Sequence, residues 1–395
     1  MIIPKADRLG QVQEYYFARK LAAVSALNAL GKQVINLGIG SPDLPPSPAT
    51  IEVLTASAAQ PTGHGYQPYS ALPTLRRAIA NWYESTFRVH LNPDTEVLPL
   101  TGSKEGIFHI SMAFLNPGDK VLIPNPGYPA YAATARLVGA EPVFYTLSEE
   151  NNWLPDRNQL EELARQGVKL MWINYPHMPT GAQATAETLQ WLADLAYKYK
   201  FLLVNDNPYS LVLPAAAPLS LLSILNADTC CLELNSLSKS HNMAGWRVGA
   251  VLGRQDYLAA ILTVKSNLDS GMLQAIQHAA TEALHNSSDW HLQRNAEYAR
   301  RKQLVCQLLD SLQCTYQPEA VGMFVWAKVP DHIQDVEVYL DEILYEAGVF
   351  LTPGKVFGSQ GERFVRASLC VSVPQIEEAI KRIKQHQLIT LNHEC

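Results

Sequence analysis

No apolar run in these 395 residues is long enough to span a bilayer, and the first ten, Met1 to Gly10, contain no apolar signal region. No block of lysine and arginine is present, and the formal net charge of −6 argues against a nucleic-acid surface. The six cysteines (Cys230, Cys231, Cys306, Cys314, Cys370, Cys395) lack any CxxC spacing, so no metal site is expected. Cys230 and Cys231 adjoin within one strand-like run and read as buried thiols. There are no internal repeats and no low-complexity segment. The expectation is a cytoplasmic, reduced, globular protein. Its length exceeds one small core, so two domains are expected.

What the chain does have is a lysine among small hydroxyl residues: Ser236-Leu237-Ser238-Lys239-Ser240, with Arg247 eight residues on. The stretch follows one apolar run and precedes another. Basic side chains at the end of a buried strand are costly unless something anionic or electrophilic meets them. A neutral lysine amine can condense with an aldehyde, and hydroxyls with an arginine suit a phosphate. An aldehyde carrying a phosphate is pyridoxal phosphate. The competing reading is a solvated basic loop.

The rest of the chain supports an α/β architecture. Apolar runs at 97–101, 120–124, 141–147, 169–174, 201–205, 229–235 and 248–252 alternate with helical patterns such as 104–115 and 186–199. Seven strands with helical crossovers predict a doubly wound, mostly parallel sheet, and such sheets bind ligands at the carboxyl ends of their strands. An amphipathic helix is expected over 11–30, and Gly38-Ile39-Gly40 leads into a proline-rich extended crossing. The GxG there is weak evidence for a dinucleotide site, because no third glycine follows. Beyond residue 255, helices at 256–266, 271–285 and 290–313 lead into a smaller α+β unit. It has strands near 322–327 and 364–370 and helices near 335–347 and 374–386. The expected division is 1–45 as an arm and part of the small domain, 46–285 as the large domain, and 286–395 as the small domain.

Each strand end offers a candidate with an ordinary structural alternative. Gly102-Ser103-Lys104 at a helix start presents backbone N–H groups to an anion, or is a plain cap. Tyr128, in a proline-bounded turn, stacks on a flat ring or simply packs. His177, in Asn174-Tyr175-Pro176-His177-Met178-Pro179-Thr180-Gly181, is a base or a hydrogen-bonded structural residue. Asp206 pairs with a protonated pyridine nitrogen or caps a turn, and Arg366 takes a carboxylate or forms an ion pair. Tyr66 lies in an aromatic-rich loop, Gly63 to Ser70.

Taken together, these residues resemble a class I aminotransferase of the fold type I pyridoxal phosphate enzymes, over about Arg8 to Leu388. Gly102 to Gly106, Asn267 to Gly271 and Pro353 to Gly358 look most like the branch containing LL-diaminopimelate aminotransferases. The resemblance implies that Lys239 holds the cofactor's aldehyde and shuttles a proton. It implies that Asp206 pairs with the ring nitrogen, Tyr209 donates to the phenolic oxygen and Tyr128 stacks on the ring. Ser103 and Lys104 (chiefly through their backbone), Ser236 and Arg247 hold the phosphate, with Tyr66 reaching the neighbouring subunit's phosphate in a homodimer. Arg366 binds the substrate α-carboxylate, and the backbone at Ile39-Gly40 closes over it. One departure stands out. Met178 occupies the position where the family usually has an asparagine that donates to the phenolic oxygen, and methionine has no donor. The implied activity is amino transfer from an L-amino acid to a 2-oxo acid, 2-oxoglutarate by default, with ping-pong kinetics. The rival readings are a β-elimination lyase or synthase on a sulfur amino acid, and a non-catalytic ligand sensor. His64, Tyr69, His241, Lys265 and Asn267 are candidate contributors to side-chain selectivity, each equally well read as structural.

Overall fold

The computed structural model describes residues 3–12 and 16–393. The seven apolar runs form one sheet in the order Val97–Leu100, Gly249–Gly253, Cys231–Ser236, Leu202–Asp206, Val168–Ile173, Lys120–Asn125, Glu141–Thr146. Gly249–Gly253 runs antiparallel to both neighbours, and the other adjacent pairs are parallel. The central strands are continuous apolar runs because both faces are covered. Alternate side chains serve different layers. Leu122, Met171, Ile173 and Leu203 join one core, while Val121, Ile123, Leu170, Trp172 and Val204 join the other. Asp206 and Ser236 end two of these strands, and Ser103, Lys104 and Lys239 follow directly on strand ends.

Strand boundaries shift slightly from expectation. Ala227–Cys230 is a short helical turn, so Cys230 precedes the strand that Cys231 begins. Both thiols are buried, as expected. The N-terminal helix runs Tyr16–Ala29 rather than 11–30. Asp7–Gln11 is a 3-10 turn that ends at Val12 in extended backbone, which interrupts any helix there. The helix expected over 335–347 is α-helical over Val336–Glu342, widens into a π turn over Ile343–Ala347, and stops at Gly348 with φ +67°.

The C-terminal unit holds a four-stranded antiparallel sheet in the order Thr352–Pro353, Phe364–Ser368, Phe324–Lys328, Thr315–Tyr316. Helices Ser288–Ser311 and Val373–His393 pack together beside it. The N-terminal segment also belongs here by contact. Ile35–Asn36 pairs in parallel with Val349–Phe350, and Lys20 Nζ lies 2.5 Å from Asp341 Oδ1, fastening the first long helix to this unit. The glycines at 38 and 40 serve packing rather than a phosphate: a Cβ at Gly38 would enter the Phe350 ring, and one at Gly40 the Phe324 ring.

Candidate active site

A cavity of about 520 Å³ opens at the carboxyl ends of the parallel strands, between the sheet and the C-terminal unit. Of the sequence candidates, Gly40, Ser103, Lys104, Tyr128, Met178, Asp206, Tyr209, Ser236, Lys239, Arg247 and Arg366 all line it.

One end is built for an anion. Strand Val97–Leu100 turns through Gly102 (φ +87°) into helix Ser103–Phe114, whose first backbone N–H groups have no intrahelical partners. Any side chain at 102 would overlap the Arg247 guanidinium, so glycine is what lets Arg247 approach. Arg247 Nη1 donates to Ala244 O at 2.9 Å and to Ser238 Oγ at 3.4 Å, which aims the fork. Ser236 Oγ accepts from Ser238 N at 3.2 Å. The Lys104 pKa is lowered, by burial first and by the Arg247 charge second. Two cations and a helix start converging this way favour a bound dianion.

In the middle, Asp206 ends strand Leu202–Asp206 and is buried. Tyr131 Oη donates to its Oδ2 at 2.9 Å, whereas Oδ1 is buried without a hydrogen-bond partner among the described residues. Burial pushes the Asp206 pKa up to about 7; the Tyr131 bond opposes this and the Glu233 charge adds to it. An orphaned, buried carboxylate oxygen calls for a ligand N–H. Tyr131 is held by stacking on Trp172 (5.0 Å, 8°) and meets Tyr128 edge-on (5.6 Å, 88°). Lys239, on the turn Leu237–Ser240, donates from Nζ to Gly40 O. Its pKa is pulled down to about 8, chiefly by burial, with the Arg366 and Arg247 charges lowering it and Cys370 opposing.

At the far end, Arg366 lies in strand Phe364–Ser368. Its Nη2 donates to Gly38 O at 2.7 Å, and its Nη1 lies 3.3 Å from Met178 Sδ. Met178 N donates to Asn174 Oδ1 at 2.9 Å, and Asn174 Nδ2 donates to Asp206 O at 2.5 Å. Asn174 thus locks the turn to the aspartate strand. His177 lies outside this cavity: its Nδ1 is 2.8 Å from Thr180 Oγ1, and burial pushes its pKa down to about 3, opposed by a hydrogen bond that the ring donates to the Pro126 carbonyl.

Other candidates are not brought to the cavity. Tyr66 is 92 % exposed, and His64 and Tyr69 are exposed with it. His241 is buried against Trp290 and His291. Lys265 is buried and paired with Asp269 at 2.5 Å, near Glu105 and His109. Asn267 donates to Thr263 O at 2.8 Å. Sequence reasoning missed Tyr131, Asn174, Phe17, Leu21, Phe324 and Phe357. Tyr131 had a signal, being one helical turn beyond Tyr128; the others come together only through the tertiary fold.

The cavity fits pyridoxal phosphate on its own chemistry, with an anion cradle, an unpaired carboxylate oxygen, an aromatic face and a lysine of depressed pKa. The sequence model of the family described as aminotransferase class I and II matches residues 32–383. The LL-diaminopimelate aminotransferase of Dehalococcoides mccartyi (strain ATCC BAA-2266 / KCTC 15142 / 195) is 40% identical over 379 residues, covering 96% of this chain and 97% of its own. That of Halothermothrix orenii is 37% identical, covering 97% and 98%. Among solved structures, substrate-bound BacF from Bacillus subtilis superposes with a TM-score of 0.92 at 33% identity, covering 98% of each chain. The chain therefore belongs to the class I and II aminotransferase family and is a pyridoxal-phosphate-dependent aminotransferase of fold type I.

Proposed function

We propose that this aminotransferase moves the amino group of an L-amino acid to 2-oxoglutarate, with Lys239 as the group that both holds the cofactor and moves the proton. The observation that carries this reading is one cavity containing a lysine of depressed pKa, an orphaned carboxylate oxygen and a buried arginine. When bound, pyridoxal phosphate supplies an aldehyde that takes up the amino group and a protonated ring that draws electron density from Cα. Ser103, Lys104, Ser236 and Arg247 would hold its phosphate. Tyr128 would lie against its ring, Tyr209 would donate to its phenolic oxygen, and Asp206 Oδ1 would accept from its ring N–H. Arg366 would receive the α-carboxylate in a bidentate pair, and the backbone at Ile39-Gly40 would cover it. Arg366 thereby sets which Cα bond faces Lys239. Lys239 Nζ takes the proton from Cα as the donor becomes a 2-oxo acid, and it gives a proton back to Cα when the acceptor becomes an amino acid. Atoms balance over the two halves: each amino group lost by a donor appears on an acceptor, and no external oxidant is needed.

We extend the reading to a cytoplasmic homodimer in which the exposed Tyr66 reaches the partner's phosphate cradle, with domain limits at 1–45, 46–285 and 286–395. The decisive experiment is a half-reaction with amino donor alone. Transamination leaves the cofactor in its amine form with one equivalent of 2-oxo acid. Repeated release of pyruvate and ammonia with the cofactor unchanged would replace amino transfer by elimination.

Two smaller effects follow. A lysine amine is nucleophilic only when neutral, and a pKa of about 8 puts the neutral fraction on its steepest rise there. Capture of pyridoxal phosphate by the cofactor-free protein is therefore expected to quicken about tenfold from pH 7 to 9 and then level off. A lysine of ordinary pKa would keep quickening well beyond pH 9, and stopped-flow reconstitution across pH separates the two.

Met178 supplies no donor, His177 lies outside the cavity, and Asn174 is bonded to the backbone of Met178 and Asp206. With pyridoxal phosphate bound, its phenolic oxygen would then lack one bond worth about 1–3 kcal/mol. Met178→Asn is expected to lower the pH midpoint of the holoenzyme's visible absorbance by about one to two units. Identical midpoints would remove Met178 from any tuning role.

A further inference from the structure

We infer that the amino donor carries an uncharged apolar side chain of aromatic or large aliphatic size, selected by a wall of Phe17, Leu21, Phe324 and Phe357. This rests on the amino-transfer reading above and on Arg366 as the seat of the α-carboxylate. The Arg366 guanidinium carbon lies 3.9 Å from the centroid of Phe324, 4.6 Å from Phe357 and 5.5 Å from Phe17. The rings come from strand Phe324–Lys328, the turn Gly354–Phe357 and helix Tyr16–Ala29. They box the cation and fix its plane. A donor whose carboxylate rests on Arg366 has its Cβ only about two bonds away, so its side chain starts within a few ångströms of these rings. Phe17 and Leu21 are four residues apart on one helix, hence on one face, and both line the cavity.

Charge points the same way. Asp206 is the one carboxylate among the described lining residues, and the cofactor site uses it. Helix Tyr16–Ala29 contains no Asp or Glu, and its Lys20 is committed to Asp341. The loop Gly63 to Ser70, which carries Tyr66, also contains no acid, so its approach from a partner subunit would add aromatic surface and no counter-charge. LL-diaminopimelate, the donor named for the sequence relatives, bears a distal ammonium as well as a distal carboxylate. That ammonium would be desolvated here without a carboxylate to meet it, which is strongly unfavourable.

The test uses the cofactor-loaded enzyme in the single-turnover half-reaction with L-phenylalanine, L-leucine, L-methionine, L-lysine and LL-diaminopimelate, read by cofactor absorbance. At least one apolar donor is expected to exceed LL-diaminopimelate in kcat/KM by about 100-fold. Equal or better use of LL-diaminopimelate overturns the inference. No conversion by any donor overturns the amino-transfer reading instead. A binding readout stands apart from turnover: 3-phenylpropionate, which cannot react, is expected by calorimetry to bind about tenfold or more tighter than pimelate. Leu21 is 40 % exposed, so Leu21→Glu is tolerable to the fold. It is expected to weaken 3-phenylpropionate about tenfold and to shift donor preference toward lysine. Tighter binding of pimelate, or an unchanged 3-phenylpropionate affinity in the variant, counts against the wall.

Discussion

Replacing Lys239 with alanine is expected to lower amino transfer by about four orders of magnitude or more while leaving the fold intact. The loss is large because in the proposed arrangement one nitrogen has two jobs, holding the cofactor and carrying the Cα proton, and the described lining residues include no histidine or glutamate to replace it. The other lining cations, Lys104, Arg247 and Arg366, are spoken for by the phosphate and the carboxylate in the proposed arrangement. The fold survives because the turn Leu237–Ser240 is capped by Ser236, not by the lysine side chain. A thermodynamic signature accompanies the change. The folded-state pKa of Lys239 is about 8 against an ordinary 10.5, so between those values the unfolded chain binds more protons. Stability of the cofactor-free wild type should then rise as pH climbs from 8 toward 10.5, by about 3 kcal/mol. The alanine variant should lack that rise. Denaturant melts across pH provide the check, alongside rates. Wild-type turnover in the variant without added amine would remove Lys239 from the centre of the mechanism.

Asp206→Asn is expected to reduce amino transfer by about 10³-fold with the fold kept. An amide is nearly isosteric with the carboxylate and can still accept from Tyr131 Oη, but it cannot hold a proton on a pyridine nitrogen by charge. Here the pH sign is opposite. Burial raises the Asp206 pKa from 3.8 to about 7, so the folded cofactor-free protein binds more protons than the unfolded chain between those values. Its stability falls as pH rises through that window, and the asparagine variant should be spared the fall. Full activity in the variant would show that the ring nitrogen needs no anionic partner here.

The sequence was enough to place the strand-end candidates round one cavity because each part is local. Gly102-Ser103-Lys104 follows one strand, Asp206 ends another, and Ser236 and Lys239 leave a third within four residues. Parallel-sheet logic then places them together without knowledge of packing. It failed where a contact joins distant segments. The aromatic box round Arg366 draws on helix Tyr16–Ala29 and on residues more than three hundred positions later, and no spacing rule links them. For the same reason spacing left polar residues near the motifs undecided between selectivity and structure, and the contacts favour structure. Lys265 meets Asp269 on the next turn and never reaches the cavity, and His241 turns inward onto Trp290. Tyr131 lay within reach of sequence reasoning, since a tyrosine one helical turn past Tyr128 faces the neighbouring strand end.

The pairing of Ile35–Asn36 with Val349–Phe350 has a consequence in time rather than in space. Gly38 and its partner Thr352 are 314 residues apart, so on a ribosome the first segment emerges about 15–60 s before the residues that cover it. During that interval the central sheet can form, and the proposed phosphate cradle with it, while the opening strand and the helix bearing Phe17 have no mate. A nascent chain stopped short of residue 349 would thus have somewhere to put a phosphate and nowhere to seat an amino acid.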